Sequence, residues 1–319
     1  MDVQRWLARR EGDWKQLAVV LHKAEKRGLQ SLSAQEIRQL AGLYRAVSGD
    51  LARAQTHQLP ATLLQDLQAL LTRAFSQIYQ GSRHQEWRSV LRFYGQTLPA
   101  LIRDLSAEVL MAMALFVGSA LVAVQFAHDP VFLATLLPPG LLRTVQEEGQ
   151  LWMGSIVGIE PLASSQIMTN NLSVAFGAIA GGITGGLYTV YILVYNGIAL
   201  GAIAHLVAAH GLAWPFWAFV FPHGALELPA IFLAGAAGLA IGRALLWPGR
   251  VTRAAALKSQ GRKAAQLLYG IVPLLVVAGI VEAFVSPQPG IPAALKYLWG
   301  LASLGMLLAY GRKDSEPTE

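Results

Sequence analysis

Residues 214–246 read WPFWAFVFPHGALELPAIFLAGAAGLAIGRALL, and this stretch decides the fold class of the chain. It is apolar except for a few side chains, and it exceeds the roughly 20 residues that a straight helix needs to cross a bilayer. Pro222 and Pro229 interrupt it, and an internal proline removes a helical hydrogen bond. We therefore expect a membrane-spanning segment that enters, breaks at Pro222 and continues as a helix to Leu246.

The composition of the whole chain agrees with a membrane protein. Hydrophobic residues make up 54% and charged residues 14%, with a mean hydropathy of +0.43, whereas soluble domains carry about 25% charged residues. The chain has no cysteine, which excludes disulfides, thiolate metal sites and cysteine nucleophiles. The net charge of the chain is +6. In a membrane protein, such an excess of basic residues is typical of cytoplasmic loops, which lie beside anionic lipid. We expect membrane lipid as a partner and no nucleic acid.

The apolar runs predict an all-α fold, a polytopic transmembrane helical bundle of about six spans, one of them broken. Asn196-Gly197 is a turn signal and separates the second span from the third. The spans are expected at residues 107–127, about 172–195, 198–211, 214–246, 265–285 and 293–310.

Residues ahead of the first span show helical periodicity and predict an N-terminal cytoplasmic helical domain. Within it, Ser33 and Glu36 form a capping box that opens a helix. The predicted domains are a cytoplasmic helical domain at 1–106, a transmembrane domain at 107–310 with an outer loop at 128–169, and a disordered tail at 311–319.

The distribution of basic residues predicts the orientation in the membrane. Lysines and arginines lie before the first span, between the fourth and fifth spans and after the sixth, so all three groups fall on one side if the spans alternate. The acidic loop 128–169 then lies on the other side. We predict a multi-pass protein of the cell membrane with its N-terminus and C-terminus both cytoplasmic.

Two carboxylates, Glu227 and Glu282, lie inside apolar runs, where insertion of a charged side chain costs about 2.5 to 3.5 kcal/mol. His223 precedes Glu227 by four residues, so both project from one face of a helix. Glu282 lies near the outer end of its span. We expect these three side chains to converge with Asn170 and Asn171 at the outer start of the second span.

This polar cluster has three interpretations. His223 and Glu227 can hydrogen-bond each other and hold a helix break together, they can bind a divalent metal with Glu282, or the cluster can form a proton or solute path. Asn196 can cap a helix end or line a cavity. No phosphate-binding loop, zinc-protease motif or serine elbow is present, so we name no catalytic residue, and an enzyme is the less favoured class.

Glycines at helix-packing spacing recur in the apolar runs. They predict close helix approach within the chain, with a homodimer seam as the alternative. They form one set of three and two pairs, which are Gly177/Gly181/Gly185, Gly197/Gly201 and Gly238/Gly242.

The motifs together resemble the stage II sporulation protein M family, also called the DUF95 family. The residues that carry the resemblance are Asn170-Asn171, Tyr195-Asn196-Gly197, Pro222-His223-Gly224 with Glu227-Leu228-Pro229-Ala230, and Glu282-Ala283-Phe284-Val285-Ser286-Pro287. The resemblance implies an integral membrane protein whose founding member acts in a membrane complex with cell-wall hydrolases during engulfment in sporulation. It marks Asn170, Asn171, Asn196, His223, Glu227 and Glu282 as motif positions without assigning them a chemistry.

Three functions follow from these observations. The favoured hypothesis is a non-enzymatic scaffold with protein partners in a membrane or cell-envelope complex, and the next two are alternatives to it. The second is a transporter or channel-like protein that uses broken helices at Asn196 and Pro222. The third is a metal-dependent intramembrane hydrolase, with a divalent metal as its cofactor at His223 and Glu227.

Overall fold

The computed structural model describes residues 3–80, 83–156 and 158–312. The chain divides into two compact units, Met1–Phe93 and Tyr94–Glu319. The described residues form helices and turns and no strands, which confirms the predicted all-α class. The predicted tail at 311–319 lies outside the described residues from residue 313 onward.

The first unit is a small helical bundle with its own hydrophobic core. The buried side chains Leu17, Leu21, Val47 and Leu67 come from three different helices and pack in one cluster. Because they recur at helical spacing, each helix turns one apolar stripe inward. The helices are α1 (Val3–Arg27), α2 (Ala34–Thr56), α3 (Ala61–Phe75) and α4 (Arg83–Arg92).

Polar contacts fix the helices of this unit. The predicted capping box at the start of α2 is confirmed, because Ser33 Oγ accepts a hydrogen bond from Glu36 N–H and the Glu36 carboxylate accepts one from Ser33 N–H. Asp50 on α2 is buried, and its carboxylate accepts hydrogen bonds from Arg10 Nε and Trp14 Nε1 of α1. A buried charge with these partners ties α1 to α2.

The second unit holds the apolar helices. Among its described residues, five helices, α6, α10, α11, α12 and α13, are long and apolar enough to cross a membrane, so the protein is a multi-pass membrane protein. The helices are α5 (Leu98–Asp104), α6 (Ser106–Phe126), α7 (Pro130–Leu136), α8 (Pro139–Gln146), α9 (Glu160–Ala180), α10 (Leu187–Ala209), α11 (Ala213–Leu246), α12 (Arg253–Phe284) and α13 (Ala293–Arg312).

The turn predicted at Asn196-Gly197 is wrong. α10 continues through this position, where Asn196 Nδ2 donates to the Ile192 carbonyl one turn earlier. The chain turns instead at residues 181–186, where Gly185 and Gly186 adopt left-handed φ values of 71° and 89°. Glycine occupies that region without a steric penalty from Cβ, so this glycine pair makes the sharp reversal between α9 and α10.

The break predicted at Pro222 is not observed, since α11 contains both Pro222 and Pro229. Helix-breaking residues are tolerated where neighbouring helices pack closely around them. Here Phe221 lies against Gly300 of α13, and His223 contacts Ser286 just after α12. The neighbours therefore hold α11 continuous through its proline positions.

Contacts between the helices define two ends of the bundle. Arg243 Nη2 lies 2.6 Å from Glu108 Oε1, which places the end of α11 beside the start of α6. Gly242 packs against the backbone of Gly185 and Gly186, so the α9–α10 turn lies at the same end. We call this the basic end, because the α11–α12 connection there carries Arg250. The opposite end, where α9 and α11 begin and α12 finishes, is the far end.

Glycines let the helices meet closely toward the basic end. A Cβ on Gly238 would overlap the Ala178 carbonyl oxygen of α9 and the Thr189 hydroxyl of α10. A Cβ on Gly182 would overlap the Gly238 carbonyl oxygen in turn. These glycines are therefore used for packing within the chain. A homodimer seam stays a prediction.

Candidate functional site

A cavity of about 490 Å³ lies among α9, α10, α11 and α12. Its lining includes all six polar positions singled out in the sequence, which are Asn170, Asn171, Asn196, His223, Glu227 and Glu282. The apolar part of the wall includes Phe116, Trp217 and Ile231. Polar side chains from four helices thus face one space inside an otherwise apolar bundle.

His223 and Glu227 lie one turn apart on α11 and face the cavity together. His223 is buried, and its Nδ1 lies 3.1 Å from Ser286 Oγ. Its other ring nitrogen, Nε2, lies 3.8 Å from Glu282 Oε2, which is too long for a hydrogen bond. The imidazole is therefore held on one side, while Nε2 faces a carboxylate across a gap.

Two asparagines support Glu227 from α9. The side chain of Asn171 is hydrogen-bonded to Glu227. Asn170 Nδ2 donates to Asn171 Oδ1 at 3.2 Å, which leaves the Asn171 amide nitrogen to donate to the carboxylate. This chain of amides orients the Glu227 carboxylate toward the cavity.

The ligand-type atoms of the cluster lie close together. One nitrogen of His223 and one oxygen each of Glu227 and Glu282 all lie within 4.8 Å of one another. One imidazole and two carboxylates are a donor set that divalent metals accept. The cluster can also share a proton between its carboxylates, since like charges at this separation are not both stable without a cation.

Ser286 and Lys296 belong to this arrangement and were missed in the sequence. Lys296 on α13 is buried, and its Nζ donates to the carbonyls of Ser286 at 2.6 Å and Gln288 at 2.9 Å. It thereby fixes the segment that carries the Ser286 hydroxyl beside His223. The available signal was a lysine inside an apolar run, which is a functional candidate by default.

Comparisons with known proteins place the chain among similar sequences. The family described as Stage II sporulation protein M matches residues 109–287, and a domain of unknown function (DUF8413) matches residues 4–80. An uncharacterized protein of Methanocaldococcus jannaschii is 28% identical over 130 residues, which are 38% of this chain and 70% of that protein. No solved structure matches the chain.

Proposed function

Since the chain belongs to the Stage II sporulation protein M family, we propose that it is a cell-membrane protein that takes a small cation into its polar cavity. The cavity is the binding site, and transport across the membrane is the activity it serves. This is the transporter-like function among the three that the sequence allows, without the broken helices on which that hypothesis rested.

The observation that carries the proposal is the convergence of Glu227 and Glu282 on one cavity, whose wall, as far as the structure describes the chain, includes no lysine or arginine. A buried carboxylate is costly unless it is paired with a cation or protonated. Lys296, the buried lysine nearest in the packing, donates to two backbone carbonyls instead. A positively charged solute supplies the missing charge.

The proposed orientation follows the distribution of basic residues. With the basic end in the cytoplasm, the positive-inside rule is satisfied and both termini are cytoplasmic. The far end then faces outward, and a solute reaches His223 and Glu282 from outside the cell.

Because the chain has no cysteine, single cysteines test access directly. We expect Val174→Cys and Leu200→Cys, both in the cavity wall, to react in intact cells with a membrane-impermeant thiol reagent. Ala175→Cys and Ala202→Cys are matched controls, because both alanines are fully buried in helix packing beside the cavity positions. Labelling of all four or of none would contradict a water-filled cavity open to the outside.

A scaffold in a cell-envelope complex is the second candidate. It is favoured by the first unit, whose separate core gives the chain a folded helical module outside the apolar helices. Co-purification of the full-length protein from membranes should then yield a stoichiometric partner that is retained by Glu227→Gln. Loss of function in Glu227→Gln at normal protein level, with no partner recovered, would count against the scaffold.

A metal-dependent intramembrane hydrolase is the remaining alternative. It uses the same three side chains, but it also requires a cleaved substrate. Product formation that depends on Glu227 would favour it over transport.

A further inference from the structure

Resting on the proposed cation cavity, we propose that His223, Glu227 and Glu282 coordinate one divalent transition-metal ion of the Zn²⁺ or Mn²⁺ class. The metal is the cation that the cavity accepts. The three ligand atoms have the spacing and the chemical type of a metal site, with supporting groups behind them and open space in front of them.

The spacing suits a single ion. Zinc binds nitrogen and carboxylate oxygen at about 2.0 to 2.2 Å, so two ligands of one ion lie about 3 to 4 Å apart. His223 Nε2 and Glu282 Oε2 are 3.8 Å apart, and no pair in the trio exceeds 4.8 Å. Small rotations of the two glutamates bring all three atoms onto one centre.

The donor types narrow the choice of metal. Imidazole favours zinc, iron and nickel, whereas carboxylates favour manganese, magnesium and calcium. A set of one imidazole and two carboxylates therefore fits a first-row divalent ion better than Mg²⁺ or Ca²⁺, which prefer oxygen ligands only. The two carboxylates also neutralise the ion, so the metal enters the apolar bundle without net charge.

The groups behind the ligands are those that a metal site uses. A ligating histidine normally donates its other ring N–H to a fixed partner, which sets its orientation. His223 Nδ1 lies 3.1 Å from Ser286 Oγ, and Lys296 holds the backbone of Ser286. Asn171 supports Glu227 in the same way. If the trio served only to hold helices together, His223 Nε2 would be expected to hydrogen-bond a partner rather than face a 3.8 Å gap.

The cavity leaves room beside the ion. Three protein ligands leave at least one coordination position open. The space of about 490 Å³ in front of the trio is large enough for water or a solute ligand, with Asn170 and Asn196 in the wall. An open position allows the ion to enter and leave, as transport requires.

The test is metal binding by the full-length, untagged protein in detergent. We expect about one equivalent of Zn²⁺ or Mn²⁺ by calorimetric titration and elemental analysis after removal of free metal. His223→Gln, Glu227→Gln and Glu282→Gln should each weaken binding more than 100-fold.

The matched control is His205→Gln, because the rings of His128 and His205 lie 4.3 Å apart and can bind zinc adventitiously. We expect this variant to keep the stoichiometric site. Absence of stoichiometric metal in the wild-type protein, or its retention in His223→Gln, overturns the proposal. Each variant is compared at equal yield of monodisperse protein, and Glu227→Asp, which keeps the carboxylate, should recover part of the affinity.

Cysteine labelling and metal binding together show whether only the metal assignment is wrong or the proposed transport cavity is wrong as well. If Val174→Cys and Leu200→Cys label from outside but neither metal binds, the cavity accepts another cation and only the metal assignment is wrong. If these cysteines do not label, the outward-facing cavity fails as well.

Discussion

The two ends of the membrane unit differ in whether their carboxylates have a cationic partner. At the basic end, Glu108 is 13% exposed and lies 2.6 Å from an arginine of the same chain, Arg243. Toward the far end, Glu227 and Glu282 face a cavity whose described lining residues include no lysine or arginine. The carboxylate at the basic end is therefore paired with an arginine of the chain. The two carboxylates in the cavity must obtain a cation or a proton from outside the chain.

The packing of the helices also differs between the basic end and the cavity. Toward the basic end, glycines bring the helix backbones together until no space is left for a side chain, as at Gly182 and Gly238. Toward the far end, α9, α10, α11 and α12 line the cavity, although Gly201 and Gly300 still make close contacts there with Ala120 and Phe221. The glycine-packed contacts of α9, α10 and α11 and the cavity are therefore two distinct regions of the unit, and the following predictions test that division in order of decreasing effect.

The largest effect is expected at Gly238. Gly238→Val places a branched side chain against the Ala178 carbonyl oxygen and Thr189, and overpacking of this severity should cost about 3 kcal/mol or more. We expect most of the protein to be lost as aggregate on detergent extraction, measured by size-exclusion chromatography. Gly118→Ala on α6 is the control, because its added Cβ meets no atom within 4 Å. Equal behaviour of the two variants would contradict a closed basic end.

A smaller effect is expected from Ser286→Ala. The substitution removes the hydroxyl that lies 3.1 Å from His223 Nδ1 while leaving all three proposed ligands in place. Loss of such a supporting group typically weakens metal affinity about 10-fold to 100-fold. Titration with Zn²⁺ checks this, and Ser303→Ala on α13, buried but outside the cavity wall, is the control. An unchanged zinc affinity in Ser286→Ala would contradict the proposed role of Ser286 in orienting His223 for metal binding.

The two kinds of carboxylate should also respond differently to neutralisation. Glu108→Gln leaves Arg243 without its partner and should destabilise the protein by about 1 kcal/mol. Glu227→Gln removes a carboxylate whose cavity has no lysine or arginine among its described lining residues, and a glutamine oxygen can still accept from Asn171, so the metal-free protein should lose nothing in thermal stability. Melting curves in the presence of a chelator measure both. A Glu227→Gln variant destabilised as strongly as Glu108→Gln would contradict the claim that Glu227, unlike Glu108, has no cationic partner among the described residues.

The smallest effect concerns the first unit, where charges are paired at the surface. The hydrogen bonds from Lys23 and then from the Ser33 backbone lower the pKa of Glu36 to about 2. Because the folded-state pKa lies below the ordinary value of 4.5, this contribution to stability is complete above pH 4.5 and disappears as the pH falls toward 2.

We therefore expect Glu36→Gln to flatten the acid side of the stability profile slightly, measured by thermal melts of the full-length protein between pH 6 and pH 3. Glu147→Gln in the second unit, whose nearest cation is 4.0 Å away, is the control. A profile that is identical in Glu36→Gln and the wild type would contradict a stabilising ion pair between Glu36 and Lys23.

The sequence predicted the membrane class, and it singled out six polar positions that line one cavity, because each prediction rests on a local physical rule. Long apolar runs have few alternatives to spanning a bilayer. Inserting a carboxylate into such a run costs free energy whichever way the side chain points. Glu227 and Glu282 could therefore be identified as candidate site residues without knowledge of the packing. The helical spacing of His223 and Glu227 then fixed their shared face.

The turns were harder to predict, because they depend on neighbours that are distant in sequence. Asn196-Gly197 is a good turn signal in isolation, yet Gly197 is used for close contact with Phe116 and Ser119 of α6. Pro222 disrupts an isolated helix, yet packing around it keeps α11 continuous. Lys296 was passed over because its role, two hydrogen bonds to the carbonyls of Ser286 and Gln288, appears only after α12 and α13 are assembled.

The most direct test of the account is an anomalous difference map recorded at the zinc absorption edge from crystals of the protein grown with Zn²⁺. The account predicts one strong peak at about 2.0 to 2.2 Å from His223 Nε2 and from one oxygen each of Glu227 and Glu282. A map with no peak in the cavity, or with its only peak at His128 and His205, would contradict it.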